Sequence, residues 1–383
     1  MTNEKLKLWI FIDWYLPAYK AGGPIQSVSN LVVRLKSEFD ISVITSNLDL
    51  GEPLDLETED LNVWREKDGY RVMYLNCKNQ NRKFYKKLFS KNTIDVVYFN
   101  SLFSKKFTVL PLLILKNTAI RRVLASRGML GKGALAIKPL KKKLFLEWFK
   151  FMNLHKKVIW HATAKSESDE IKMHFGKDIT IALAPNLSAL SRSENFKKKK
   201  LKYQINIFFL SRIAIKKNLI GALEFLSKIQ ITSQINFTII GPVDDKAYWQ
   251  KCQMKIKSLQ KHLRVDYLGA IPNHELSNHL KEQHILLLPT YGENFGHVIM
   301  ESWQNGCPVV ISDQTPWRAL KKDKLGYDIA IKNEREFIEA IEHLIKMPQD
   351  EYAQWSNSAF EFAKKFIENP KVLEQNKALF LTD

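Results

Sequence analysis

Two carboxylates and two cations stand where strands run out into loops. Residues 289–313 read PTYGENFGHVIMESWQNGCPVVISD: an apolar strand, a glycine-containing loop, a helix and a second strand. Glu293 lies in the loop, and Glu301 lies eight positions on, inside the helix. Gly296 marks the helix start, where unpaired backbone N–H groups make a seat for phosphate or sugar oxygens. The two carboxylates can accept hydrogen bonds from vicinal hydroxyls. Residues 211–218, SRIAIKKN, also follow a strand and carry Arg212 and Lys217. A planar guanidinium and a point-charge ammonium together suit a diphosphate. A third loop, Ala21-Gly22-Gly23-Pro24, follows the first strand, and its paired glycines let the backbone approach a ligand closely.

The elements that must hold these loops alternate along the chain. Strands are expected at 7–12, 41–45, 71–74, 95–99, 122–125, 158–162 and 180–184, with helices at 26–36 and 166–174. A polar stretch at 191–202 closes with four lysines at 197–200 and reads as a domain junction. Strands at 205–210, 236–240, 265–268, 284–288 and 308–312 then alternate with helices at 219–229 and 297–305. The tail is helical at 334–346, 350–367 and 370–380. Such β–α alternation implies an α/β chain with parallel sheets covered on both faces. Two Rossmann-like domains follow, with ligands at the carboxyl ends of their strands.

Bulk properties narrow the class. A chain of 383 residues, 45% of them apolar, can fill two cores. No run approaches the ~18 consecutive apolar residues of a membrane span. The apolar residues at 8–16 are interrupted by Asp13 and read as a first buried strand rather than a signal peptide. Cys77, Cys252 and Cys307 form neither a metal spacing nor a disulfide framework, which points to a reducing cytoplasm.

The net charge is +19. Between Lys78 and Lys150 there are 18 Lys/Arg against Asp95 and Glu147, so that window alone carries +16. Aromatic residues are interleaved, among them Phe84, Phe103, Phe145 and Trp148. Such a surface suits an anionic membrane face or a phosphate-bearing acceptor, or nucleic acid, or is a solvated charged face.

Together these motifs resemble the family-4 retaining glycosyltransferases, which have the GT-B fold. The resemblance covers nearly the whole chain. It rests on Glu293 and Glu301 with Phe295-Gly296 between them, on Gly306-Cys307-Pro308-Val309-Val310, on Arg212 with Lys217, and on the first glycine pair. His161-Ala162-Thr163-Ala164 with Glu167, and Pro185-Asn186, look like the end of that family's first domain.

The resemblance implies two Rossmann-like domains facing each other across a cleft. An acceptor domain would occupy 1–190 and a nucleotide-sugar domain 201–355. C-terminal helices at 356–383 would cross back onto the first domain. Arg212 and Lys217 would bind the donor diphosphate. Glu293 would contact the transferred sugar, Glu301 the ribose, and Ile271 the base. The amides of Asn294, Phe295 and Gly296 would face the sugar or phosphate, and Gly22 and Gly23 would let the first domain close on the diphosphate. Charge is expected to be stabilised by fixed cations, with retention by front-face displacement and no metal or other cofactor.

Three positions depart from the family. Asn218 and Asn294 stand where it commonly has glycine, a role Asn tolerates because it accepts left-handed backbone. Many members carry a histidine where this chain has Arg127, so Arg127 is an acceptor-side candidate. His161 is the other, against the plainer reading of a structural histidine at a strand end. His297 reads as a helix-start residue, and Asp244-Asp245 lacks the Asp-any-Asp metal spacing.

The expected activity is transfer of a hexose-type sugar from a UDP- or GDP-linked donor to a lipid-linked glycan acceptor. That places the protein in the cytoplasm, peripheral at the inner membrane face, in surface polysaccharide or lipopolysaccharide synthesis. The alternatives are a nucleotide-sugar epimerase or hydrolase of the same fold, and a basic membrane- or nucleic-acid-binding module.

Overall fold

The computed structural model describes residues 4–190, 195–230, 234–259 and 263–381. Residues 191–194, the start of the polar stretch read as the junction, lie outside the described residues. The chain divides into two compact units, 1–188 with 370–383, and 189–369.

The first unit is built on an eight-stranded sheet. From one edge the strands are Ile181–Leu183, Ile159–Ala162, Arg121–Ala125, Val96–Phe99, Lys7–Phe11, Asp40–Ser46, Tyr70–Leu75 and Arg65–Lys67. All neighbours are parallel except the last pair, whose edge strand is antiparallel. Alternation sorts the side chains between two cores. Trp9, Phe11, Val97 and Phe99 enter one, while Leu8, Ile10, Val96 and Tyr98 enter the other. Both faces are covered, which is why these strands read as continuous apolar runs.

The second unit holds six strands, all parallel, ordered Leu263–Gly269, Gln234–Ile240, Gln204–Leu210, Ile285–Leu288, Val309–Ser312 and Gly326–Ile329. In chain order within the unit this is 3-2-1-4-5-6, the doubly wound arrangement. Its direction of winding reverses between Gln204–Leu210 and Ile285–Leu288, the topological position at which sheets of this kind bind ligands.

Three expectations are revised. The first helix begins at Gly23, not at residue 26, because Gly22 turns the chain with φ 68° and Pro24 fits the first helical turn. The tail divides differently from the 356–383 reading. Helix Gln349–Glu368 belongs to the second unit, where Trp355, Ala359, Ala363 and Ile367 enter its core; only 370–383 joins the first. There, Phe380 packs edge-on against Phe39 and Tyr98, with ring centroids 5.7 and 5.5 Å apart.

The third revision concerns the polar stretch read as the domain junction: the units divide at 188/189, and two of the lysines at 197–200 are buried in the second unit. Lys198 Nζ donates to the carbonyls of Leu280 and Lys281 at 2.7 and 2.9 Å. Lys200 Nζ donates to those of Ile345 and Met347 at 3.0 and 2.9 Å. Each buried ammonium closes the carboxyl end of a helix, Asn273–Leu280 and Glu334–Lys346 respectively. Burial lowers the Lys200 ammonium to about 8.

Candidate active site

In the second unit, the loops after the two central strands are joined by backbone and side chain. Lys216 carbonyl accepts from the Tyr291 amide at 2.8 Å and from Thr290 Oγ1 at 3.1 Å. Asn218 Nδ2 donates to the Pro289 carbonyl at 3.0 Å, while its Oδ1 accepts from the Gly221 amide at 3.2 Å. Asn218 has φ 58°, so it supplies the left-handed turn without glycine and adds a side-chain cap to helix Leu219–Ser227.

This stitching brings Lys217 and Glu293 together: Lys217 Nζ donates to Glu293 Oε1, with both side chains largely shielded from solvent. Arg212 is paired with Asp244, whose Oδ2 accepts from Arg212 Nη1 at 3.0 Å. The sequence did not suggest Asp244 as a partner, since the contact spans 32 positions.

Gly296 caps helix His297–Gln304 with φ 78°, a conformation that strains any residue with a Cβ. The Glu293 amide donates to Gln314. The amides of Asn294, Phe295 and Gly296 donate to no group among the described residues and stand at the positive end of the helix. The Phe295 side chain is core rather than site. Its ring packs on Trp317 and Phe366, and Trp317 Nε1 donates to its carbonyl at 2.6 Å. Trp317 thus braces the loop, a role no local pattern announced.

Glu301 Oε1 accepts from Asn273 Nδ2 at 2.9 Å. Burial raises its carboxyl to about 7, with the Asn273 hydrogen bond pulling the other way. Asn273 begins helix Asn273–Leu280, two residues after Ile271, so the candidate base and ribose contacts share one neighbourhood. Among the described residues no three His, Cys, Asp or Glu side chains are grouped to hold a metal ion.

The first unit carries the other candidates. Gly22 and Gly23 sit at the amino end of helix Gly23–Leu35, and a Cβ on either would meet nothing within 4 Å. Arg127, with φ 54°, spends its guanidinium on neutral partners: Nε to Asn100 Oδ1 at 2.6 Å, Nη2 to Tyr98 Oη at 2.6 Å, and Nη1 to Asn186 Oδ1. Asn100 Nδ2 in turn reaches the Pro24 carbonyl at 3.3 Å, linking Arg127 to the glycine loop.

His161 lies beneath this network and is 1% exposed. Its Nδ1 accepts from Tyr98 Oη at 2.9 Å and its Nε2 donates to the Ala184 carbonyl at 2.8 Å, which fixes the tautomer. Burial, with Arg127 nearby, lowers the imidazole to about 4. Glu167 is also buried. Burial raises its carboxyl, but donors from Thr163, Ser126 and Gly128 outweigh that and hold it below the usual range.

Residues 191–362 match the model of the family described as glycosyl transferases group 1. These residues form a group 1 glycosyltransferase domain. No curated protein matches the chain by sequence. Solved structures do match over the length of this glycosyltransferase. Anabaena HepE in complex with UDP and glucose is 13% identical with a TM-score of 0.70, covering 97% of this chain and 98% of its own. Sucrose-phosphate synthase from Thermosynechococcus elongatus is 14% identical with a TM-score of 0.74, covering 98% of each chain. WaaG, a glycosyltransferase involved in lipopolysaccharide biosynthesis, is 11% identical with a TM-score of 0.67, covering 98% of each chain. The glycosyltransferase thus has the two parallel-sheet domains of the GT-B class.

Proposed function

We propose that the protein is a family-4 retaining glycosyltransferase that moves a hexose-type sugar from a UDP- or GDP-linked donor to a lipid-linked glycan. The observation that carries this reading is the Lys217–Glu293 pair at the winding reversal of a 3-2-1-4-5-6 sheet inside the matched domain. HepE, solved with UDP and glucose, supports the donor class, and WaaG supports the lipopolysaccharide setting.

Each candidate then has a role. Lys217 and Arg212 neutralise the diphosphate, so negative charge developing on the departing nucleotide meets preorganised positive charge in place of water. Glu293 accepts hydrogen bonds from the transferred sugar's hydroxyls. Donor binding gives the Lys217 ammonium a phosphate and the Glu293 carboxylate a diol. The amides of residues 294–296 receive sugar or phosphate oxygens. Glu301 takes the ribose hydroxyls and the Ile271 segment flanks the base.

In the first unit, Gly22 and Gly23 let backbone approach the diphosphate. Arg127 is the acceptor-side cation, and His161 acts through Tyr98, which it orients. Transfer occurs in the cytoplasm at the inner membrane face, where the basic first unit meets the acceptor lipid. No helix among the described residues is long and apolar enough to cross a membrane.

Titration calorimetry with UDP and with GDP in EDTA tests the donor site. Micromolar binding of one nucleotide, lost in Lys217→Ala, is the expected result. Binding of neither, or binding indifferent to Lys217, would overturn it. Product analysis with a sugar nucleotide then separates transfer from hydrolysis or epimerisation.

A further inference from the structure

The basic window at 78–150 contains two helices of opposite design. In Arg82–Ser90 the apolar residues turn inward: Tyr85 is buried, and Phe84, Leu88 and Phe89 pack on the core, leaving Arg82, Lys83, Lys86 and Lys87 exposed. In Pro139–Phe151 the arrangement is reversed along one stripe. Leu146 and Phe149 are buried, yet Leu140 is 76% exposed, Leu144 71% and Phe151 84%, with Trp148 37% exposed beside Phe145. At 100° per residue, positions 140, 144, 148 and 151 fall within an arc of about 80°, and Phe149 lies opposite. Ile137, just before the helix, is exposed as well.

Scattered exposed apolar residues need no explanation, but an aligned stripe of large ones does. Its borders are cationic. Lys141 lies along one edge of the stripe, and Lys143 and Lys150 along the other, with exposed Lys138 at the helix start. The one acid on this helix, Glu147, is paired with Lys150 at 3.1 Å. Lys142 is turned inward to the Ala134 carbonyl and the Phe103 ring. An apolar ridge with Lys138, Lys141, Lys143 and Lys150 around it against the single acid Glu147, and with a tryptophan on it, matches a boundary that is anionic outside and hydrocarbon beneath.

We propose that helix Pro139–Phe151 is an interfacial anchor that lies in an anionic lipid surface, sinking Leu140, Leu144, Trp148 and Phe151 among the acyl chains while its lysines meet the headgroups. This rests on the membrane-face reading above and assigns that contact to one helix and to insertion, not to diffuse surface charge. A single short amphipathic helix gives reversible binding, so the enzyme would exchange between membrane and solution.

The test uses the full-length protein and sedimentation with vesicles of phosphatidylcholine alone and of phosphatidylcholine containing a quarter phosphatidylglycerol. Wild type is expected to bind the mixed vesicles. The double variant Leu144→Ser, Phe151→Ser is expected to partition at least about tenfold less. Lys86→Glu with Lys87→Glu, on the other basic helix, is expected to lower binding by less than about threefold. Both serine positions are exposed, and an unchanged melting temperature checks that the variant folds. Equal binding by wild type and the serine variant would overturn the anchor while leaving the membrane-face reading intact. No binding by wild type would overturn both. A wild type that sediments as a dimer, with the serine variant monomeric, would assign the stripe to a second copy of the chain and also overturn the proposal. UDP titration of the serine variant, expected to match wild type, keeps the donor-site reading separate.

Discussion

Lys217 donates to the Glu293 carboxylate across 76 positions of sequence, joining the loops that follow the two central strands of the second sheet. The contact lies where the winding of the sheet reverses, so the cation and the carboxylate proposed to meet the donor are held in register by sheet topology.

The pair predicts a split between variants. Lys217→Ala removes the charge that meets the diphosphate, so UDP affinity falls and kcat drops by roughly 10²–10³. Glu293→Gln keeps the shape but weakens acceptance from hydroxyls, so UDP affinity is nearly retained while kcat/KM for the sugar nucleotide falls by at least about tenfold. Calorimetry with UDP beside steady-state kinetics distinguishes the two. Because the groups touch, the double variant should lose less than the product of the two single losses.

If Glu301 takes the ribose hydroxyls as proposed, donor binding depends on pH. With its carboxyl raised by burial to about 7, lowering pH from 8 to 6 protonates it and removes an acceptor for the ribose hydroxyls. UDP should therefore bind more weakly at pH 6 than at pH 8, and Glu301→Gln should flatten that difference. Stability moves oppositely. Between the ordinary 4.5 and about 7 the folded chain holds a proton that the unfolded chain has lost, so this group's contribution falls as pH rises through that window. Melting followed by calorimetry should show Glu301→Gln raising Tm by a few degrees at pH 8 and hardly at all at pH 4.

Much of this was legible in the sequence. Strands buried on both faces announce themselves as apolar runs, and the motif loops follow them in order. Asn218 could be read as a glycine substitute because its left-handed tolerance is a property of the residue. What escaped were contacts set by tertiary structure. The Asp244 partner of Arg212 and the Asn273 partner of Glu301 sit 32 and 28 positions away. Lys198 and Lys200 read as part of a polar domain junction because an ammonium is ordinarily solvated; only the folded chain brings two helix ends to them. The helix Pro139–Phe151 was hidden because its apolar residues face both inward and outward, which erases the single-sided period.

Gly296 and Gly22 should respond differently to alanine. Both have positive φ, 78° and 68°, so both substitutions strain the backbone, by about 1–3 kcal/mol. At Gly22 a Cβ meets open space, whereas at Gly296 it would lie 2.8 Å from Ile299 Cδ1, a fully buried side chain. Gly296→Ala should therefore lower Tm more than Gly22→Ala, and it should also reduce UDP affinity because the helix-start amides shift. Thermal melting and UDP titration of the two variants check the order; equal effects would show that Ile299 yields freely.

The buried histidines predict acid sensitivity in both units. His161 in the first unit and His284 in the second are each lowered by burial to about 4, from an ordinary 6.5. His284 Nδ1 accepts from the Asn206 amide at 2.9 Å and its Nε2 donates to the Lys199 carbonyl at 3.1 Å, so it too is held neutral. Between those pH values the unfolded chain binds protons that the folded chain refuses, so stability rises with pH through the window and is lost as pH falls from 6.5 toward 4. His161→Phe should blunt this for the first unit. It should also leave the Tyr98 hydroxyl without its acceptor and the Ala184 carbonyl without its donor, costing about 2–5 kcal/mol. Scanning calorimetry at pH 5 and pH 7 should show the variant melting lower at both, with a smaller gap between them than wild type. A gap as wide as that of wild type would mean that His161 does not stay neutral in the folded chain.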